Sequence, residues 1–328
     1  MVTTAWQHQT HRRALSVFEQ LSVALRVAPD DAARDAFMAD PKNPYLGLLD
    51  ALYGEDFQLA RVLDTSDLVV HAEGPALRDA LPSLRAATWL CSIADRQLRN
   101  LIMATMDLAE HTRRVLSRNI NLRLTGLAPG SLYAGFKLQA PPDDLFDGAD
   151  DAAFQMARDA LQALPSVPQF IGDEAILDGI RERLPDPAMR DASLMTALHM
   201  APTGQYGIHT LGLSVPGNPT AELGQRERVV LRDALRRPPL VDGHQGRFVG
   251  EVRELDLDKT RFHLRQIEHI GTLRCVLPDP LGRADAKALL GEQVVVNGSY
   301  ASDASGRPRL MLVESWRVVE RPEQPSLL

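Results

Sequence analysis

Apolar residues along this chain recur in two ways, at steps of three and four or at every second position. The switch between the two orders the rest of the sequence. Leu15, Phe18, Leu21 and Leu25 make one stripe at helical spacing within residues 11–39, and Asp30-Asp31 after Pro29 opens a second, shorter helix. Pro41 and Pro44 interrupt the pattern before a short segment at 46–53, and Leu68-Val69-Val70-His71 reads as a strand closed by Gly74-Pro75. The longest helical pattern runs from Ser83 to Arg118 without Gly or Pro. Leu84, Ala87, Cys91, Ala94, Leu98 and Leu101 begin a heptad seam that continues to Val115, about 50 Å at 1.5 Å per residue. Such a seam serves a central bundle helix or a homodimer formed through residues 83–118; Ile102 and Met106 widen it toward burial.

Beyond residue 119 the period changes. Ile120, Leu122 and Leu124 alternate with Asn121, Arg123 and Thr125. Ala128-Pro129-Gly130 then turns the chain, and residues 131–138 return as the second arm of a hairpin. Residues 152–164, 173–184 and 187–200 predict three helices, 206–215 a strand, and 220–236 a further helix ending at the linker Arg237-Pro238-Pro239.

The last quarter, 246–319, reads as strand, strand, strand, short helix, strand, strand. The strands are expected at 247–257, 261–267, 273–277, 292–300 and 308–319, with the helix at 281–290 stopped by Gly291. Phe262 and Leu264 alternate with Arg261, His263 and Arg265, so the aromatic ring faces inward and the basic residues outward. This element order resembles the OB-fold barrel. The resemblance implies that the surface of the second and third strands is where an oligonucleotide would lie. Val294-Val295-Val296 and the run from Leu310 to Val313 are apolar on both faces, so something must cover the outside of the barrel. The expected fold class is α+β: a helical region at 1–118, a β-hairpin with helices at 119–237, and a five-stranded OB-like barrel at 246–320.

Charge and motif content narrow the function more than they name it. The net charge of −7 provides no global basic field for a polyanion, so nucleic-acid contact would need a local patch. Two patches exist. Arg113 and Arg114, with Arg118 and Arg123, gather where the long helix meets the hairpin, and Arg261, His263, Arg265 and Arg274 share one face of barrel strands two and three. Glu251, Glu254, Asp256, Asp258 and Glu268 stand close in sequence to the second patch and oppose a phosphate backbone. Cys91 and Cys275 are too few for a disulfide framework, and the nine histidines show neither His-x-x-x-His nor His-Glu-x-x-His spacing. The acidic stretch at 143–151 lacks the calcium-loop pattern, and there is no phosphate loop or dinucleotide fingerprint, so no metal and no cofactor is expected. No run has the length of a membrane span and the first residues lack a signal core, which implies a cytoplasmic location.

These features favour a non-enzymatic binding or regulatory protein, homo-oligomeric, that meets a protein partner through its barrel or hairpin. The first alternative is nucleic-acid binding through the basic face of the barrel. The second is an enzyme whose active-site residues are dispersed along the sequence.

Overall fold

Alternation places the first sheet. In β1 (Leu68–Glu73), Leu68, Val70 and Ala72 face one side and Val69 and His71 the other. β1 lies between β3 (Leu132–Gln139) and β4 (Thr210–Ser214). β2 (Asn121–Ala128) and β5 (Ala221–Leu223) complete an antiparallel five-stranded sheet in the order β2-β3-β1-β4-β5. The computed structural model describes residues 5–55, 58–77, 83–108, 121–128, 132–139, 148–215, 220–236, 238, 240, 243–256, 260–277 and 289–319.

Among the described residues, four helices precede β1: α1 (Ala5–Val27), α2 (Asp31–Ala39), α3 (Pro44–Glu55) and α4 (Gln58–Thr65). α1 packs on α3, α3 on α4, and α4 on the outer face of the sheet, where Val62 meets Val69 and Ala128. Gly135 on β3 permits that approach. A methyl group there would collide with Ser66 and Thr125, whose hydroxyls hydrogen-bond at 2.6 Å.

The inner face carries the main core. α5 (Leu84–Leu108), α6 (Gly148–Ala163) and α8 (Pro187–Met200) pack there with α9 (Gln225–Arg236), while α7 is the short turn Ile180–Arg183. One cluster of buried apolar residues runs from Leu68 to Leu235, so β1 and α5 share a core with the hairpin. The expected division at residue 118 therefore cuts across a single packed unit. Asp67 fastens it by accepting from the Leu138 amide at 2.9 Å and from Arg158 of α6 at 3.0 Å.

The hairpin lies within one or two residues of its expected bounds, but other elements differ from the sequence reading: the strand expected at 206–215 is confined to Thr210–Ser214, after a 3-10 turn at Gln205–Gly207. The helix expected at 173–184 shrinks to α7. Gly172 and Gly179 flank a tight turn in which Gly172 donates to Ala175 and Leu177 to Phe170. Residues 221–223 are an edge strand on β4, and the helix begins only after Gly224, whose amide the Glu227 carboxylate accepts at 2.8 Å. On α5 the buried apolar positions are Ala86, Leu90, Ala94, Leu98, Leu101, Ile102 and Ala104, while Leu84 is exposed. Over its described length the seam joins the expected column only at Ala94, and from there it is spent inside the molecule.

The C-terminal unit is a closed barrel of β6 (His244–Asp256), β7 (Arg261–Ile267), β8 (Gly271–Val276), β9 (Gln293–Ser302) and β10 (Pro308–Val318). The strands are antiparallel except β8 with β10, and the circuit β6-β7-β8-β10-β9 fits an OB-like barrel. Phe262, Leu264, Cys275, Val296 and Met311 fill its interior. The helix expected at 281–290 lies largely outside the described residues. Leu310, on the outside of the barrel, is buried beside Leu194 of α8 and Leu235 of α9, so the preceding domain supplies part of the cover its apolar strand requires. Among the described residues, no helix is long and apolar enough to cross a membrane.

Candidate functional site

The residues that join barrel and sheet domain form the most charged buried region. α8 begins at Asp186, followed by Pro187 at the first helical position, where its missing N–H costs nothing. One Asp186 oxygen accepts from the amides of Ala188 at 2.8 Å and Met189 at 3.2 Å. The other accepts from Arg309 of β10 at 2.9 Å. The same carboxylate thus caps a helix and holds the barrel.

Asp191 follows in the second turn, within an otherwise apolar helix face. It accepts from Arg261 Nη2 at 2.9 Å and from Arg274 Nε at 2.6 Å. Arg261 also donates to the Leu235 carbonyl at 2.7 Å, at the end of α9. The β7–β8 register sets His263 opposite Arg274, and His263 Nε2 lies 3.3 Å from Arg274 Nη1. All four side chains are buried. Burial would raise the Asp191 pKa, but Arg261 and Arg274 outweigh it and hold the carboxyl well below the usual range.

The basic face of the second and third strands is therefore turned toward α8. Arg261, His263 and Arg274 are brought together there, while Arg265 stands half-buried farther along β7. Arg113 and Arg114 lie outside the described residues. Beside the ion cluster a cavity of about 140 Å³ opens between α5, α8 and the barrel. Gln97 and Asn100 of α5, Thr196 of α8, and Arg261, His263 and Arg274 supply its polar wall.

Sequence reasoning missed Asp186, Asp191 and Gln97. Asp186-Pro187 is a legible helix start. Asp191 left a fainter signal, a lone carboxylate at a helix position that the pattern buries on every side.

A second polar group lies on the outer face of the sheet. His71 stacks on Tyr133 with ring centroids 3.9 Å apart, and its Nε2 is 3.4 Å from Glu73. Burial lowers the His71 pKa to about 4 against the opposing pull of Glu222, so the ring is neutral near pH 7. Burial also raises both cysteine thiols, Cys275 far more than Cys91. Among the described residues, no group of three or more His, Cys, Asp or Glu is placed to hold a metal ion.

No protein-family model matches this chain, and comparison with curated proteins finds no match.

Proposed function

We propose that this chain is a non-enzymatic binding protein with a regulatory role, and that it meets a protein partner through apolar surface its own fold leaves open. The observation that carries the reading is α1. Leu15, Phe18, Val23 and Val27 are 49, 58, 58 and 77% exposed, running from Phe18, one turn from buried Leu21, round to the far side of the helix at Val23 and Val27. Apolar residues grouped over about half a helix circumference are what a docking surface requires. The hairpin and barrel, where the sequence directed attention, contribute less: Leu124 and Leu127 on the edge strand β2, and Val249 and Val318 on the barrel.

Phe18→Glu with Val23→Glu tests the reading, since both side chains are exposed and the fold should survive. Affinity purification should recover a partner with the wild-type chain and lose it with the variant. Sedimentation of the purified chain distinguishes a second copy, the expected homo-oligomer, from a different protein. Recovery unchanged by the substitutions would sink the proposal.

Nucleic-acid binding through the OB-like barrel is the second reading, supported by the barrel circuit alone. It requires α8 to leave Arg261 and Arg274, which exposes Asp191. Each phosphate contact would add about −0.7 to the log–log salt slope for a single strand. We expect no measurable binding of single-stranded DNA or RNA at physiological salt. Submicromolar binding lost on Arg261→Ala would promote this reading.

A further inference from the structure

We infer that the partner of α1 is a second copy of this chain, and that two α1 helices pair antiparallel with Ser22 on the two-fold axis. This deepens the reading of α1 as a docking surface and rests on it. α1 presents two neighbouring stripes, each spaced at alternate steps of three and four. Ala14, Val17, Leu21 and Ala24 are half-buried or buried, on the side where α1 packs on α3. His11, Leu15, Phe18, Ser22 and Leu25 make the second stripe; its first three residues are exposed and the last two half-buried. Two stripes side by side are what a helix needs in a four-helix bundle, where it packs on two neighbours.

The need for a neighbour comes from the core. Over the described residues 11–53, Leu21 is the one apolar side chain that is buried. α2 has no buried residue, and Leu48 of α3 is exposed. Packing on α3 alone therefore offsets little of the entropy lost in ordering α1. A second α1–α3 pair against the open stripe would bury Leu15 and Phe18 and close a four-helix bundle.

Charge and side-chain size choose the occupant and the register. Glu19 and Arg26 are exposed and lie one heptad apart on the same flank of the open stripe. A helix carrying opposite charges at that interval is self-complementary under a two-fold rotation. With Ser22 on the axis, Glu19 stands opposite the partner's Arg26 and Phe18 opposite the partner's Leu25, and each pair occurs twice. Ser22 suits the axis because it is small and its hydroxyl already donates to the Phe18 carbonyl at 2.9 Å. Centring the pair on Phe18 would bring Glu19 near the partner's Glu19 and Arg12 near the partner's Arg26, and like charges oppose that register.

Sedimentation equilibrium of the purified full chain from about 1 to about 100 μM is the test, a range in which a small interface populates both states. The chain should be a dimer at the upper end, and Phe18→Glu a monomer throughout. Glu19→Arg and Arg26→Glu should each weaken the dimer about tenfold, because each turns two attractions into two repulsions. Both changes in one chain should restore it. If Phe18→Glu fails to fold, this exchange of two exposed charges carries the test alone. A wild-type chain that stays monomeric, a dimer that Phe18→Glu leaves intact, or an exchange without recovery overturns the inference. If the wild-type chain is monomeric but affinity purification recovers another protein that Phe18→Glu with Val23→Glu loses, the docking reading of α1 stands and the second copy falls.

Discussion

His71 shows how one side chain sets a pH dependence that its residue type alone would not give. Its folded pKa of about 4 lies below the ordinary 6.5, so the unfolded chain binds a proton that the folded chain refuses. Stability therefore falls as pH drops from about 6.5 toward 4 and is unaffected by this residue above that window. The slope is at most about 1.4 kcal/mol per pH unit, softened by Glu73 and Glu222 nearby. Urea unfolding across pH 4.5–7 should show the wild type losing stability relative to His71→Gln only in that window, and parallel curves would contradict the assignment. Gly135 offers a second test at this scale. A methyl group there meets Ser66, Thr125 and Val62 at once, and Gly135→Ala should cost about 1–3 kcal/mol in urea unfolding, whereas the same change at Gly306, where nothing stands within 4 Å, should show only its backbone strain. Equal costs at both sites would mean that β3 relaxes away from α4.

Among the elements, α8 has the most uses, and one residue at its start can be taken apart. Asp186→Asn keeps an acceptor for the amides of Ala188 and Met189 but removes the charge that Arg309 needs; Asp186→Ala removes both. The cap is worth about 1 kcal/mol, so Ala should cost about that much more than Asn. Equal losses in chemical denaturation would mean that the barrel contact, not the cap, carries the energy. Elements defined by local pattern were legible in the sequence: the hairpin, β7 to the residue, and Phe262 facing inward. Others depended on contacts the pattern does not encode. Residues 221–223 became a strand because β4 offered an open edge, and the stretch near 173–184 lost its helix to two glycines and a partner segment at Phe170. The buried column of α5 joined the expected seam only at Ala94, because several separate elements cover that helix rather than one symmetric neighbour.

At the scale of the whole molecule, the basic face was legible as charge but not as placement. Arg261, His263 and Arg274 read as an outward face, which they are with respect to the barrel. Asp191, 70 positions before Arg261, turns that face into an interior. No local signal links residues so far apart; only the excess apolar character of the outer barrel hinted that it was covered. Asp191→Ala should leave two guanidinium groups buried without their carboxylate, at a cost of about 3–5 kcal/mol, a large share of the roughly 5–15 kcal/mol that holds a typical domain. The barrel has its own core, so the loss should appear as undocking before unfolding. Trp316 packs against the barrel core and Trp89 against the sheet core. Chains retaining one or the other should report coincident urea transitions in the wild type and separated ones in Asp191→Ala. Replacing the whole cluster, Asp191→Leu with Arg261→Met and Arg274→Met, removes the buried charges together and should restore most of the lost stability. If Asp191→Ala changes the midpoint by no more than a surface substitution, about 0.5 kcal/mol, the ion cluster does not hold the two units together.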